Sequence, residues 1–184
     1  DAQLHFGQLD GLVNNAGVIH MGPNIEATLA DWRHQFEVNV IGTNLCCNAF
    51  AYRLIADHRP GAIVNLASNA GKAGYPNMAA YNASKAAVIN LTRTLAAEWS
   101  DMNINVNAVC PGGVHTPMLM EVAKSVAGRT GEDIQALYET MVPMQLSRHI
   151  QPIEIGRVVV FLLTDAAVII RGQSINIDGG DTPY

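Results

Sequence analysis

The chain has 184 residues, a formal net charge of −5, 49% hydrophobic residues and 15% charged ones. That length and apolar content suit one α/β domain with a sizeable core, and exclude a disordered tail, a collagenous repeat and a disulfide-stapled mini-protein. The mild acidity, the lack of a Lys/Arg cluster and a longest apolar stretch of only Val158–Leu163 argue for no nucleic acid, no membrane and a soluble protein.

Asp10–Asn14 is a short apolar run that opens into Asn15–Gly17, the pattern of a buried strand ending in a loop. Asp31 to Arg59 reads as one long helix, with Trp32, Phe36, Val40, Phe50 and Leu54 among its apolar positions, stopped by Pro60-Gly61. Ala62–Ala67 is a second strand, followed by a Gly- and Asn-rich loop at Asn69–Met78. A small-faced helix is predicted from about Tyr81 to Ser100, then a third strand at Ile104–Val109, closed by Pro111-Gly112-Gly113. Helical stretches follow near Leu119–Ala127 and Glu132–Met141. Pro152 opens another at Ile153–Leu163, and Gln173–Ile177 is a last strand. Strands alternating with helices predict a doubly wound parallel sheet, with the loops at strand carboxyl ends gathered on one ligand-binding edge.

The three cysteines form no metal or disulfide pattern. Cys46 and Cys47 are adjacent on a helix, and Cys110 stands alone before Pro111. The six histidines are scattered and give no ligand spacing, so no metal is expected. Reduced cysteines and the lack of a signal-peptide pattern fit a cytoplasmic protein.

The chemistry gathers around Tyr81-Asn82-Ala83-Ser84-Lys85, where Tyr81 and Lys85 share one helix face. A phenol is a poor acid or base at neutral pH, and an adjacent ammonium lowers its pKa by favouring the phenolate. Alone, that spacing is as common on an ordinary solvated helix. Ser68, thirteen residues earlier, sits at the end of a strand, where its hydroxyl could bond a substrate oxygen beside the phenol. Asn39 lies mid-helix, where asparagine is a mediocre helix former. Gly17, in Asn14-Asn15-Ala16-Gly17, permits close backbone approach to a ligand.

Together, NNAG at 14–17, Asn39 in FEVNVIGT, Ser68 in IVNLAS, YNASK at 81–85, PGGVHTPM at 111–118 and GQSINIDGG at 172–180 resemble the short-chain dehydrogenases/reductases. The resemblance spans the chain and implies a Rossmann-like fold with a catalytic tetrad of Asn39, Ser68, Tyr81 and Lys85. By that mechanism Tyr81 exchanges the hydroxyl proton and Ser68 polarises the substrate oxygen. Lys85 lowers the Tyr81 pKa and holds the nicotinamide ribose, and Asn39 positions a relay water. The resemblance also implies cofactor contacts from Asn15, Ala16 and Gly17 on the adenosine side, and from Val114 and Thr116 after the Pro111-Gly112 turn. NAD or NADP is the implied cofactor, with NAD favoured, and a homodimer or homotetramer is the implied assembly.

The family's T-G-x-x-x-G-x-G turn is not found in these 184 residues, nor is the residue that selects NAD over NADP. The expectation is a single incomplete domain over 1–184, lacking the N-terminal strands and inactive by itself. The look is closest to polyol, sugar-alcohol or diol dehydrogenases, with Asn69 and His115 placed to meet a second hydroxyl or else facing solvent. A 3-oxoacyl-thioester reductase is the alternative, although segment 114–150 balances Lys124, Arg129 and Arg148 against Glu121, Glu132, Asp133 and Glu139 and is not basic. A non-catalytic binding protein of this fold would show loss of Ser68, Tyr81 or Lys85, and all three are present.

Overall fold

Four strands, β1 (Gly11–Asn14), β2 (Gly61–Leu66), β3 (Ile104–Pro111) and β4 (Ser174–Ile177), form one sheet in that order with every pairing parallel. The computed structural model describes residues 2–183. Period-two alternation assigns the two faces. Ile63, Ile104, Val106 and Ala108 point toward α3 (Thr43–Ala56) and α4 (Ala79–Glu98), where Cys47, Ala51, Leu54, Val88 and Leu95 meet them. Val64 and Val109 point the other way, onto Ile155, Val159 and Leu162 of α7 (Pro152–Leu162). The central strands are therefore buried on both faces, and β3 is buried along seven of its eight residues.

The remaining helices are α1 (Ala2–Phe6), α2 (Leu29–Phe36), α5 (Pro117–Thr130) and α6 (Ile134–Thr140). α1 has no counterpart among the elements expected from the sequence. Thr28 caps α2 with a capping box shared with Asp31, so the helix starts slightly before Asp31. Thr116 caps α5, and Gly131 ends it at φ 77°, a left-handed position that glycine adopts without strain.

The predicted continuous helix over 31–59 is corrected. Between α2 and α3 the chain makes a π-helical turn, Glu37–Gly42. The Thr43 backbone N–H turns to the Val40 carbonyl, while the Thr43 hydroxyl donates to the Asn39 carbonyl at 2.8 Å. A side chain thus takes the acceptor that regular α-helical pairing would use, and the widened turn swings Asn39 inward. No disulfide links Cys46, Cys47 or Cys110, which are all free.

Candidate active site

Past the carboxyl ends of β1, β2 and β3 lies a cleft of about 960 Å³. Such an edge is where open parallel sheets bind ligands. Ser68 leaves β2 in extended conformation and caps the 3₁₀ turn Asn69–Gly71, accepting from the Ala70 N–H at 3.1 Å. That turn presses on α4: a Cβ on Gly71 would come within 2.7 Å of the Lys85 carbonyl carbon. Glycine is what lets the Ser68 turn and the Tyr81 helix approach so closely.

Ser68, Tyr81 and Lys85 are all buried and line the cleft together. Burial raises the phenol pKa, and the neighbouring Ser68 hydroxyl offsets only part of that rise. The Lys85 Nζ lies 5.7 Å from the Tyr81 ring centroid, over the ring face, and donates to the Leu66 carbonyl at 2.7 Å. Burial pulls the Lys85 ammonium down to about 8. Desolvation is the largest influence on both groups, and the cation sits over the ring face.

Asn39 is buried beside them. Its Oδ1 accepts from the Val18 N–H at 2.8 Å, and its Nδ2 donates to the Val18 carbonyl at 3.0 Å and to Ser84 Oγ at 2.9 Å. Ser84 in turn donates to the Tyr81 carbonyl at 2.8 Å. The amide thus brackets the chain after Gly17 against the helix that carries Tyr81. Asn14, by contrast, turns from the cleft and donates to Asn65 of β2 at 2.8 Å, while Asn65 donates to Thr92 of α4 at 3.0 Å.

Asn15, Ala16, Gly17, Pro111, Gly112, Val114 and Thr116 all line the cleft with Ser68, Tyr81 and Lys85. Asn69 lines it too, but its Oδ1 faces the Ser68 hydroxyl at 3.3 Å and its Nδ2 donates to the Tyr75 hydroxyl at 3.0 Å. His115 does not line it. Its side chain turns to Tyr138 instead, with Nδ1 2.6 Å from the phenol oxygen, so the placement of His115 beside a substrate hydroxyl is corrected. Tyr75 and an apolar wall of Met118, Leu119, Val122 and Val126 also line the cleft, beyond the residues expected from the sequence. The i, i+3, i+7 spacing of the last three was the available signal.

A family model described as "Enoyl-(Acyl carrier protein) reductase" matches residues 1–182. A curated relative, 2-(S)-hydroxypropyl-CoM dehydrogenase 3 of Xanthobacter autotrophicus, is 39% identical over 181 residues, covering 98% of this chain and 69% of that protein. The chain belongs to the short-chain dehydrogenase/reductase family of NAD(P)-dependent oxidoreductases. Among solved structures, a putative 2-deoxy-d-gluconate 3-dehydrogenase from Agrobacterium tumefaciens with bound NADP superposes with a TM-score of 0.83 at 34% identity, over 96% of this chain and 68% of that one. An NAD+-bound xylitol dehydrogenase superposes with a TM-score of 0.88 at 34% identity, over 97% of this chain and 71% of that one. The chain spans between 64% and 76% of the length of the first curated relatives it matches.

The cleft floor suits a nicotinamide cofactor. A Cβ on Gly17 would sit 3.4 Å from both Lys85 Nζ and Asn39 Oδ1, so glycine keeps that floor open above a buried cation. No helix among the described residues is long and apolar enough to cross a membrane.

Proposed function

We propose that the intact protein moves a hydride between NAD(P) and a secondary alcohol or the corresponding ketone. The observation that carries this is the convergence of buried Ser68, Tyr81 and Lys85 at the floor of one cleft, with Lys85 Nζ over the phenol ring. When bound, the nicotinamide supplies or accepts the hydride. Asn15, Ala16 and Gly17 would hold the adenosine side, Lys85 the ribose, and Pro111, Gly112, Val114 and Thr116 the carboxamide side. Ser68 donates to the substrate oxygen and fixes it next to Tyr81. In ketone reduction Tyr81 gives its proton to that oxygen, and burial keeps the phenol protonated at neutral pH for this task. In alcohol oxidation the same oxygen takes the proton back, and the Lys85 charge favours the phenolate that receives it.

The substrate class in this reading is a polyol, sugar alcohol or diol, supported by relatives named D-threitol dehydrogenase and 2,5-dichloro-2,5-cyclohexadiene-1,4-diol dehydrogenase. A non-catalytic protein of the same fold remains a second reading, because one relative 38% identical is named an inactive dehydrogenase. NAD is the first cofactor to test. Ile41, Leu45 and Tyr52 lie exposed on the outer side of the π turn and α3, while Cys47 and Ala51 are buried against the sheet. That outward face supports a homodimer or homotetramer. The test is a spectrophotometric screen of the intact protein with NAD+ and NADP+ against polyols, diols and simple secondary alcohols. Reduction of either cofactor by an alcohol supports the reading, and none across the panel sinks it.

A further inference from the structure

The helices α5 and α6 form a hairpin roof over the cleft, with Met118, Leu119, Val122 and Val126 of α5 along its inner side. Among the described residues none of α6 lines the cleft; α6 packs on α5 from behind. Yet α6 carries Tyr138, the one buried residue of that helix.

Tyr138 is held at three points. Its hydroxyl meets His115 Nδ1 at 2.6 Å. Its ring stacks on the His149 ring, with centroids 4.3 Å apart and planes 24° from parallel. Its carbonyl accepts from His149 Nε2 at 3.0 Å, which fixes the proton of that imidazole on Nε2. His115 belongs to, and His149 directly precedes Ile150 of, one backbone ladder at the foot of the roof: the His115 N–H donates to the Ile150 carbonyl at 2.8 Å, and the Ile150 N–H donates to the Gly113 carbonyl at 3.0 Å. Val114 and Thr116, on either side of His115, line the cleft. The foot is tight, since a Cβ on Gly113 would come within 2.4 Å of the Met141 carbonyl oxygen.

A buried phenol gripped on its hydroxyl, its face and its carbonyl is more than core packing requires. We propose that Tyr138, clasped between His115 and His149, is a positioning residue that sets the height of the α5–α6 roof and so governs alcohol binding rather than the hydride step. It acts through α5, which touches the substrate space, and through the segment 113–116, which faces the cofactor side. The proposal rests on the cleft being an alcohol site.

The test uses the intact protein with Tyr138→Phe, which keeps the ring and its stack but removes the hydroxyl. One hydrogen bond of ordinary strength corresponds to a three- to ten-fold change in binding. Tyr138→Phe raises the KM for the alcohol by roughly that factor and leaves kcat within about two-fold. His115→Leu gives the same rise, and the double variant rises no further than either alone. His115→Gln, whose amide oxygen accepts a hydrogen bond, recovers part of the loss. Hydrogen exchange supplies a readout independent of turnover: amides of α5 and α6 exchange at least several-fold faster in Tyr138→Phe, while those of α4 do not change. An unchanged KM, additive effects, or a fall in kcat without a rise in KM overturns the proposal. If the wild-type protein oxidises no alcohol, the functional reading fails instead, and unchanged exchange in α5 and α6 still overturns the clasp.

Discussion

The floor of the cleft and its roof are held by opposite means. On the floor, Ser68, Tyr81 and Lys85 are buried; Ser68 and Lys85 bond backbone groups, and Tyr81 and Lys85 sit on one twenty-residue helix. The roof is a hairpin of two helices with exposed outer faces, joined at an exposed tip around Gly131 and fastened near its foot. In the proposed reaction, proton transfer tolerates little displacement of the reacting oxygens, which suits groups built into the protected sheet edge. Admitting and releasing a substrate needs a part that opens at low cost, and few buried contacts supply that.

The sharpest break of this comparison comes at the floor. Tyr81→Phe in the intact protein lowers kcat by about 10²-fold or more, because the ring stays and only the transferable proton goes. Ser68→Ala does comparable harm. Near-normal turnover in either would remove the floor from the chemistry. Asn39→Ala comes next. It strips the Val18 N–H and carbonyl of their partners and takes a bond from Ser84. Denaturant melts are expected to show a loss of about 2–4 kcal/mol, in line with buried polar groups left unpaired.

Lys85→Met separates stability from function. The folded ammonium has its pKa pulled from 10.5 down to about 8 by burial. Below about pH 8 both folded and unfolded states carry the proton, and the folded state bears the full cost of burying it. Between about 8 and 10.5 the folded state sheds the proton first, and that cost fades as pH rises. The variant therefore melts higher than wild type at pH 7, by no more than about 3 kcal/mol. The gap narrows as pH approaches 10.5, while turnover is lost throughout. A variant less stable than wild type at pH 7 would show that the bond to the Leu66 carbonyl outweighs desolvation.

The smallest effect belongs to Asn69→Ala. Both ends of that amide are taken, by Ser68 and by Tyr75, so its loss loosens the Ser68 turn instead of removing a substrate contact. KM is expected to rise a few-fold, equally for a diol and a simple secondary alcohol. A rise confined to the diol would return Asn69 to the role its position in the sequence suggested.

The floor was legible in the chain because its groups recur at fixed spacings on successive elements: Ser68 at a strand end, then Tyr81 and Lys85 on one helical face. The strands were readable to within a residue or two from their apolar runs. The π turn was not, since it depends on the Thr43 hydroxyl reaching back for the Asn39 carbonyl, a choice that helix periodicity does not encode. Nor was the direction of His115. Its partner is twenty-three residues away on a helix that never enters the cleft. The spacing puts Lys85 on the Tyr81 face of the helix, but the desolvation of both groups is a property of the packed site and not of the spacing.

The cross-sheet tie from Asn14 through Asn65 to Thr92 has a consequence for assembly of the sheet itself. β2 is buried from Ile63 to Asn65, whereas β1 is only half covered, so apolar burial alone fixes their alignment weakly. Asn14 pairs opposite Asn65 in the observed register, and Asn65 is fully buried. A slipped alignment would take the Asn14 donor from the buried Asn65 Oδ1. The tie works as an index pin: β1 and β2 lock at one setting, and the loops that leave them, Asn15–Gly17 and Ser68–Gly71, reach the cleft level with each other.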